Sequence, residues 1–190
     1  MSGALAAFSA PAFGGACGLI STTAVTKAFH MSHAAYRTLL YMPPKYGGEE
    51  SLCDLSVWSG SEPTTEKRIA GKLARGKLAS LVITTWMLGT GLYTPEGAKD
   101  SFTKTLAMFT DGAQASLVTT LHGKSFAPPA LGAEAVGYRA KKGPRHVLVG
   151  IWSKPTIYRL LTVSITEGKT SPLLGPLKTI AATAVPAFGL

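Results

Sequence analysis

Residues 146–166, HVLVGIWSKPTIYRLLTVSIT, decide the fold. The runs 146–153 and 156–166 are rich in Val, Ile, Leu, Thr and aromatics, which suit a pleated surface, and Lys154-Pro155 stands between them as a turn. That pattern predicts two neighbouring antiparallel strands. Working towards the N-terminus, residues 116–122 have the same composition, and Leu52 to Trp58 alternates Leu52, Asp54 and Ser56 against Cys53, Leu55 and Val57, as a strand with two unlike faces does. Between these lie two helical patterns. One spans 65–88, with Pro63 and Thr64 or Thr65 at its start, Glu66 in the first turn where a carboxylate suits the helix dipole, and Gly89 and Gly91 at its end. The other spans 95–109, with Pro95 at the first helical position, Phe102, Leu106 and Phe109 on one stripe, and Asp111-Gly112 as the stop. The expected class is therefore α+β, a single domain whose antiparallel sheet packs on two main helices.

The two ends read differently from this centre. No residue from Ser2 to Thr26 is charged, but Pro11 and four glycines in that stretch argue against a membrane span. A secretory signal is not expected either, because no basic region precedes the apolar one. An apolar arm that packs on the domain, on a neighbouring subunit or on a membrane surface is expected instead. His30 to Tyr41 suggests a short helix stopped by Pro43 and Pro44. The tail from Ser171, with Pro172, Pro176 and Pro186 among apolar residues, predicts an irregular strap. The chain thus divides into an apolar and basic arm over 1–48, a globular domain over 49–170 and an apolar strap over 171–190. Ends this apolar exceed what a soluble monomer exposes, which predicts self-association.

At 190 residues the chain is long enough to build its own core, and disulfides or metals are not needed to hold it together. Nineteen Lys and Arg against ten Asp and Glu leave a net charge of +9, which favours a polyanionic partner such as phospholipid headgroups or nucleic acid. The chain has no Asn and one Gln, so the usual bidentate readers of adenine are nearly absent and sequence-specific DNA recognition is excluded. Cys17 and Cys53 could form one disulfide at most, and a reduced, cytosolic pair is expected.

Charge also maps function along the chain. Residues 139–190 hold eight bases against Glu167 alone. Arg139, Lys141, Lys142 and Arg145 gather around Gly143-Pro144 in what the sequence suggests is a loop, and each base near an anionic surface contributes about 1 kcal/mol before screening. On the helix expected over 65–88, Arg68, Lys72 and Arg75 fall at i, i+4 and i+7, a cationic stripe that Lys77 extends. The competing reading is an ordinary solvated helix face. Catalytic motifs are not found. Gly71 to Lys77 has the glycine and lysine spacing of a phosphate loop, but Leu78 stands where a hydroxyl should reach the metal, inside a helical pattern. His30 and His33, one helical turn apart, could share a metal with Cys17 or Cys53, but no second close cysteine pair supports a site. No catalytic residue, metal site or cofactor is assigned.

The most specific short signal is Pro43-Pro44-Lys45-Tyr46, a PPxY motif of the kind bound by WW domains, in which Pro43 and Pro44 preform a polyproline turn and Tyr46 supplies a second anchor. The competing reading is a proline turn with a packed tyrosine. A PPxY segment ahead of a basic domain resembles the matrix proteins of rhabdoviruses and related negative-strand RNA viruses. Leu81-Val82-Ile83, Leu88-Gly89, Pro95-Glu96-Gly97, Lys104 and Phe109 are similar in order and spacing to the lyssavirus version. The family's N-terminal arm is usually lysine-rich, whereas residues 1–26 here are uncharged.

The resemblance implies a structural virion protein, not an enzyme, that lines the inner face of the envelope and self-associates into a homo-oligomer or lattice. It implies binding to the anionic lipid membrane and the viral nucleocapsid or RNA through the basic patches. It further implies a host WW-domain ubiquitin ligase, recruited by Pro43, Pro44 and Tyr46 for budding from the host cytoplasm and inner plasma membrane. The alternative is an RNA-binding capsid or nucleocapsid subunit whose basic tail neutralises RNA.

Overall fold

The computed structural model describes residues 15–42, 48–88, 94–115, 124–126, 136–142, 145–168 and 173–190. A 3-10 turn at Ala16–Leu19 leads into helix α1 (Thr22–Phe29), strand β1 (His33–Met42), strand β2 (Gly48–Trp58), helix α2 (Glu66–Ala74) and strand β3 (Leu78–Leu88). Helix α3 (Pro95–Ala115) follows, then strands β4 (Lys124–Phe126), β5 (Val136–Lys142) and β6 (Arg145–Lys154), strand β7 (Arg159–Glu167) and helix α4 (Leu174–Phe188). The strands form one antiparallel sheet in the order β1-β2-β3-β7-β6-β5-β4. Its last four strands run as a meander that brings β7 back beside β3. The α+β class and the single sheet expected from 146–166 are present, with Pro155–Ile157 forming a 3-10 turn between β6 and β7.

The sheet's two faces are unlike. On one, Leu55 of β2, Leu81 and Ile83 of β3, and Leu161, Val163 and Ile165 of β7 are fully buried under α1 and α4. On the other, α3 lays Phe102 over Ile151 and Leu160, and α2 packs Leu73 against Leu78 and Trp58. Between α2 and α3 this second face carries Ser56, Ser80, Ser164 and Thr166, as an antiparallel sheet does where one side meets water.

Several elements depart from expectation, each for a local reason. The helix expected over 65–88 is the helix α2 followed by the strand β3. Gly76 adopts φ +62 and donates to the Leu73 carbonyl while Lys77 donates to that of Lys72, closing the helix in a Schellman turn. The Val82-Ile83-Thr84-Thr85-Trp86 run beyond it then favours a strand. The helix expected over 30–41 is the strand β1, because the helix lies earlier. Ser21 caps α1 by accepting from Ala24 N–H at 3.2 Å, and His30, at φ 52, ends it.

The C-terminal strap is the helix α4. Pro176 lies in its first turn, where a missing N–H costs nothing, and Leu177, Ile180, Ala181 and Ala184 form its buried stripe. Neither end is a separate arm in the described residues. Ala16, Ile20 and Val25 belong to the same core as α4 and the sheet, so the boundaries at 48 and 171 do not separate packing units. The strand expected at 116–122 lies outside the described residues.

Candidate functional site

The basic residues of the C-terminal third sit on strands rather than in a loop. Arg139, Lys141 and Lys142 belong to β5 and Arg145 opens β6, with Gly143 and Pro144 outside the described residues. Pairing places Lys142 directly opposite Arg145, and Lys124 of the outermost strand β4 directly opposite Arg139. Register also divides the cluster. Arg139 stands opposite Leu148 and Lys141 opposite His146, in rows that alternate with the Lys142 and Arg145 row. Sequence spacing alone missed Lys124, because the partner of Arg139 is fifteen positions away and appears only once the strands are paired.

The stripe expected on α2 does not survive intact. Arg68, Arg75 and Lys77 are exposed, whereas Lys72 is buried at 9% exposure. Its ammonium donates to the carbonyl of Ser59 at 2.6 Å and to that of Ser61, fastening the 59–61 turn to the helix. Lys72 is therefore a structural residue and no part of a cationic face. The i+4 spacing was read correctly, but Leu73 beside it pulls that side of the helix onto the sheet.

The cysteine expectation is overturned. Cys17 and Cys53 form a disulfide across 36 residues, both in the core. Both sulfurs are thereby withdrawn from any metal shared with His30 and His33. His33 instead stacks on Trp58 at 5.7 Å, and among the described residues no group of three or more His, Cys, Asp or Glu is arranged to hold a metal ion. The bond is continuous with a second tether, in which Ser51 accepts a hydrogen bond from Ala16 N–H at 2.9 Å. Pro43, Pro44 and Tyr46 lie outside the described residues, between β1 and β2. Among the described residues no helix is long and apolar enough to cross a membrane.

Among the described residues, Glu167 and Tyr36 are displaced from their ordinary ranges. Burial pushes the Glu167 carboxyl up, at the end of β7 where His146 stands opposite it. Burial also pushes up the Tyr36 phenol, which donates to the Ile20 carbonyl at 3.2 Å.

No protein-family model matches the chain, and no curated protein is significantly similar to it. Among solved structures it is similar to the extracellular domain of PknH from Mycobacterium tuberculosis, at 6% identity and a TM-score of 0.41, over 91% of this chain and 94% of that one. At that identity and score the likeness says nothing of the site's chemistry.

Proposed function

We propose that the protein is a structural, non-catalytic protein that docks peripherally on an anionic surface through the β4–β5–β6 edge. The observation that carries this reading is the gathering of Lys124, Arg139, Lys141, Lys142 and Arg145 on the three neighbouring strands β4, β5 and β6 at one end of the sheet. Self-association belongs to the same proposal. It is supported by β1, at the far edge of the sheet, where among the described residues no strand pairs with its outer side and Leu40 is 46% exposed. The Cys17–Cys53 bond bears on the compartment. Buried disulfides belong to oxidising environments, so it favours the outer side of a membrane over the cytosolic side, where a rhabdoviral matrix protein would meet nucleocapsid and a WW-domain ligase.

The test is flotation of the oxidised protein with phosphatidylserine-containing vesicles, run beside a gel-shift titration with single-stranded RNA at the same ionic strength. Vesicle binding that falls sharply in the Lys141→Glu, Lys142→Glu double variant at low salt supports the proposal, since screening already weakens the attraction at high salt. Equal flotation of parent and variant overturns it. RNA binding without flotation favours the capsid reading instead.

A further inference from the structure

Arg37 is the extra residue of a β-bulge. The register between β1 and β2 shifts between Tyr36 and Thr38, which leaves Arg37 without a partner on β2. The guanidinium lies over the Trp58 ring at 5.2 Å and donates to Glu62 at 2.8 Å. There it stands at the rim of a cavity of about 490 Å³, between the sheet and α2. That volume falls within the range of small-molecule sites.

The rest of the lining is segregated by chemistry. Cross-strand register puts Ser56 of β2 opposite Ser80 of β3, and Ser80 opposite Thr166 of β7, so three hydroxyl residues from three strands form one row along the floor. Ile69 and Leu73 of α2, with Pro63 before the helix, form an apolar wall. Ile69 remains 36% exposed, although Leu73, four positions on, is buried. A cation at one end, hydroxyls below and branched apolar side chains along one side match a molecule with the same three parts.

We infer that this trough binds a small amphiphile with an anionic head. The head pairs with Arg37, displacing Glu62, which is half exposed and holds the guanidinium through a single contact. Trp58 keeps the guanidinium plane in place when Glu62 leaves. Ser56 and Thr166 bond polar atoms next to the head, Ser80 keeps its hydroxyl on Asp54 at 3.3 Å, and the hydrocarbon body covers Ile69 and Leu73. This site is separate from the β4–β5–β6 edge, which lies at the other end of the sheet from β1 and β2.

The experiment is calorimetric titration of the oxidised full chain with octanoate, octyl phosphate and 1-octanol, together with amide chemical-shift mapping. Saturable binding of at least one of the two anions is expected, with shifts concentrated at Ser56, Ser80, Thr166 and α2 and with 1-octanol weaker by about tenfold. Preference between octanoate and octyl phosphate identifies the head as carboxylate or phosphate. Arg37→Gln should reduce the preferred anion to the level of 1-octanol, and Ile69→Trp, which fills the trough from an exposed position, should weaken all three ligands. Thermal melts of both variants check that they fold. Equal binding of 1-octanol and both anions by the parent, undiminished anion binding by Arg37→Gln, shifts lying away from the row, or no saturable binding at millimolar concentration each overturn the inference.

Discussion

Lys72 donates to the Ser59 carbonyl at 2.6 Å, across a chain separation of thirteen residues, and so ties the residue that follows β2 to a helix that begins seven positions later. A charged donor shared between the Ser59 and Ser61 carbonyls fixes the turn at Gly60, whose φ of +70 suits glycine. Truncation would leave both carbonyls short of a partner in a part-buried place. Lys72→Ala should therefore lose about 2 kcal/mol of stability in urea denaturation, whereas Arg68→Ala and Arg75→Ala should each stay within about 0.5 kcal/mol. Equal losses from all three would mean that Lys72 is a surface charge after all.

Reduction should be costly. The Cys17–Cys53 bond closes a loop with a sequence separation of 36, and the chain-entropy relation gives about 4 kcal/mol for a loop of that size. The Cys17→Ser, Cys53→Ser variant should melt well below the parent, and dithiothreitol should lower the parent's melting temperature towards that of the variant. Because Ser51 also holds Ala16, the 3-10 turn should remain docked in part, which hydrogen exchange at Ala16 would show as protection above that of a free chain. An unchanged melting temperature after reduction would mean that the bond does not hold the N-terminal segment.

Period and punctuation explain how much of this fold was legible. The strands β6 and β7 were readable because their apolar runs are bounded by Lys154-Pro155, and α3 because Phe102 and Leu106 keep helical spacing behind Pro95. The stripe of Leu177, Ile180, Ala181 and Ala184 is equally periodic, but Pro176 and Pro186 break a helical pattern in sequence, and only their places near the helix ends make them harmless. His30 was harder. It ends α1 at positive φ without being glycine, so nothing in its identity separates a cap from a mid-helix residue. For the candidate site, charge clustering named Arg139, Lys141, Lys142 and Arg145, while their opposition across strands, and the burial of Lys72, depend on pairing and packing that sequence spacing does not contain.

Helix α3 is held to the sheet by a compact aromatic contact. Phe102, at 2% exposure, meets Trp86 with ring centroids 6.0 Å apart and Tyr158 at 5.8 Å, above Ile151 and Leu160. Tilted ring pairs of this kind add to the burial of the rings themselves. Phe102→Ala should cost about 3 kcal/mol, and Met108→Ala, on the same helix but 66% exposed, close to nothing. Near-ultraviolet circular dichroism should report the loss at Phe102 as a weakened signal from Trp86. If the two substitutions cost the same, α3 is not docked through this cluster.

Glu167 gives the fold a pH dependence whose sign follows from its burial. The residue is 7% exposed, and desolvation raises its carboxyl above the ordinary range. The folded state then holds this proton more tightly than the unfolded state does. Between the unfolded and folded values the native chain binds more protons, so stability falls as pH rises through that interval and does not recover above it. The stabilising share is present in full only below the unfolded value, and at neutral pH the ionised carboxylate is a net cost. Glu167→Gln keeps the shape and removes the titration. Measured by urea denaturation from roughly pH 4 to pH 8, the variant should gain on the parent as pH rises and should show its largest advantage at the neutral end. His146 stands opposite Glu167 in register and is itself ionisable, so the series should be repeated in a His146→Gln background. A difference between Glu167→Gln and its parent that stays constant across the range in that background would show that burial does not displace the carboxyl.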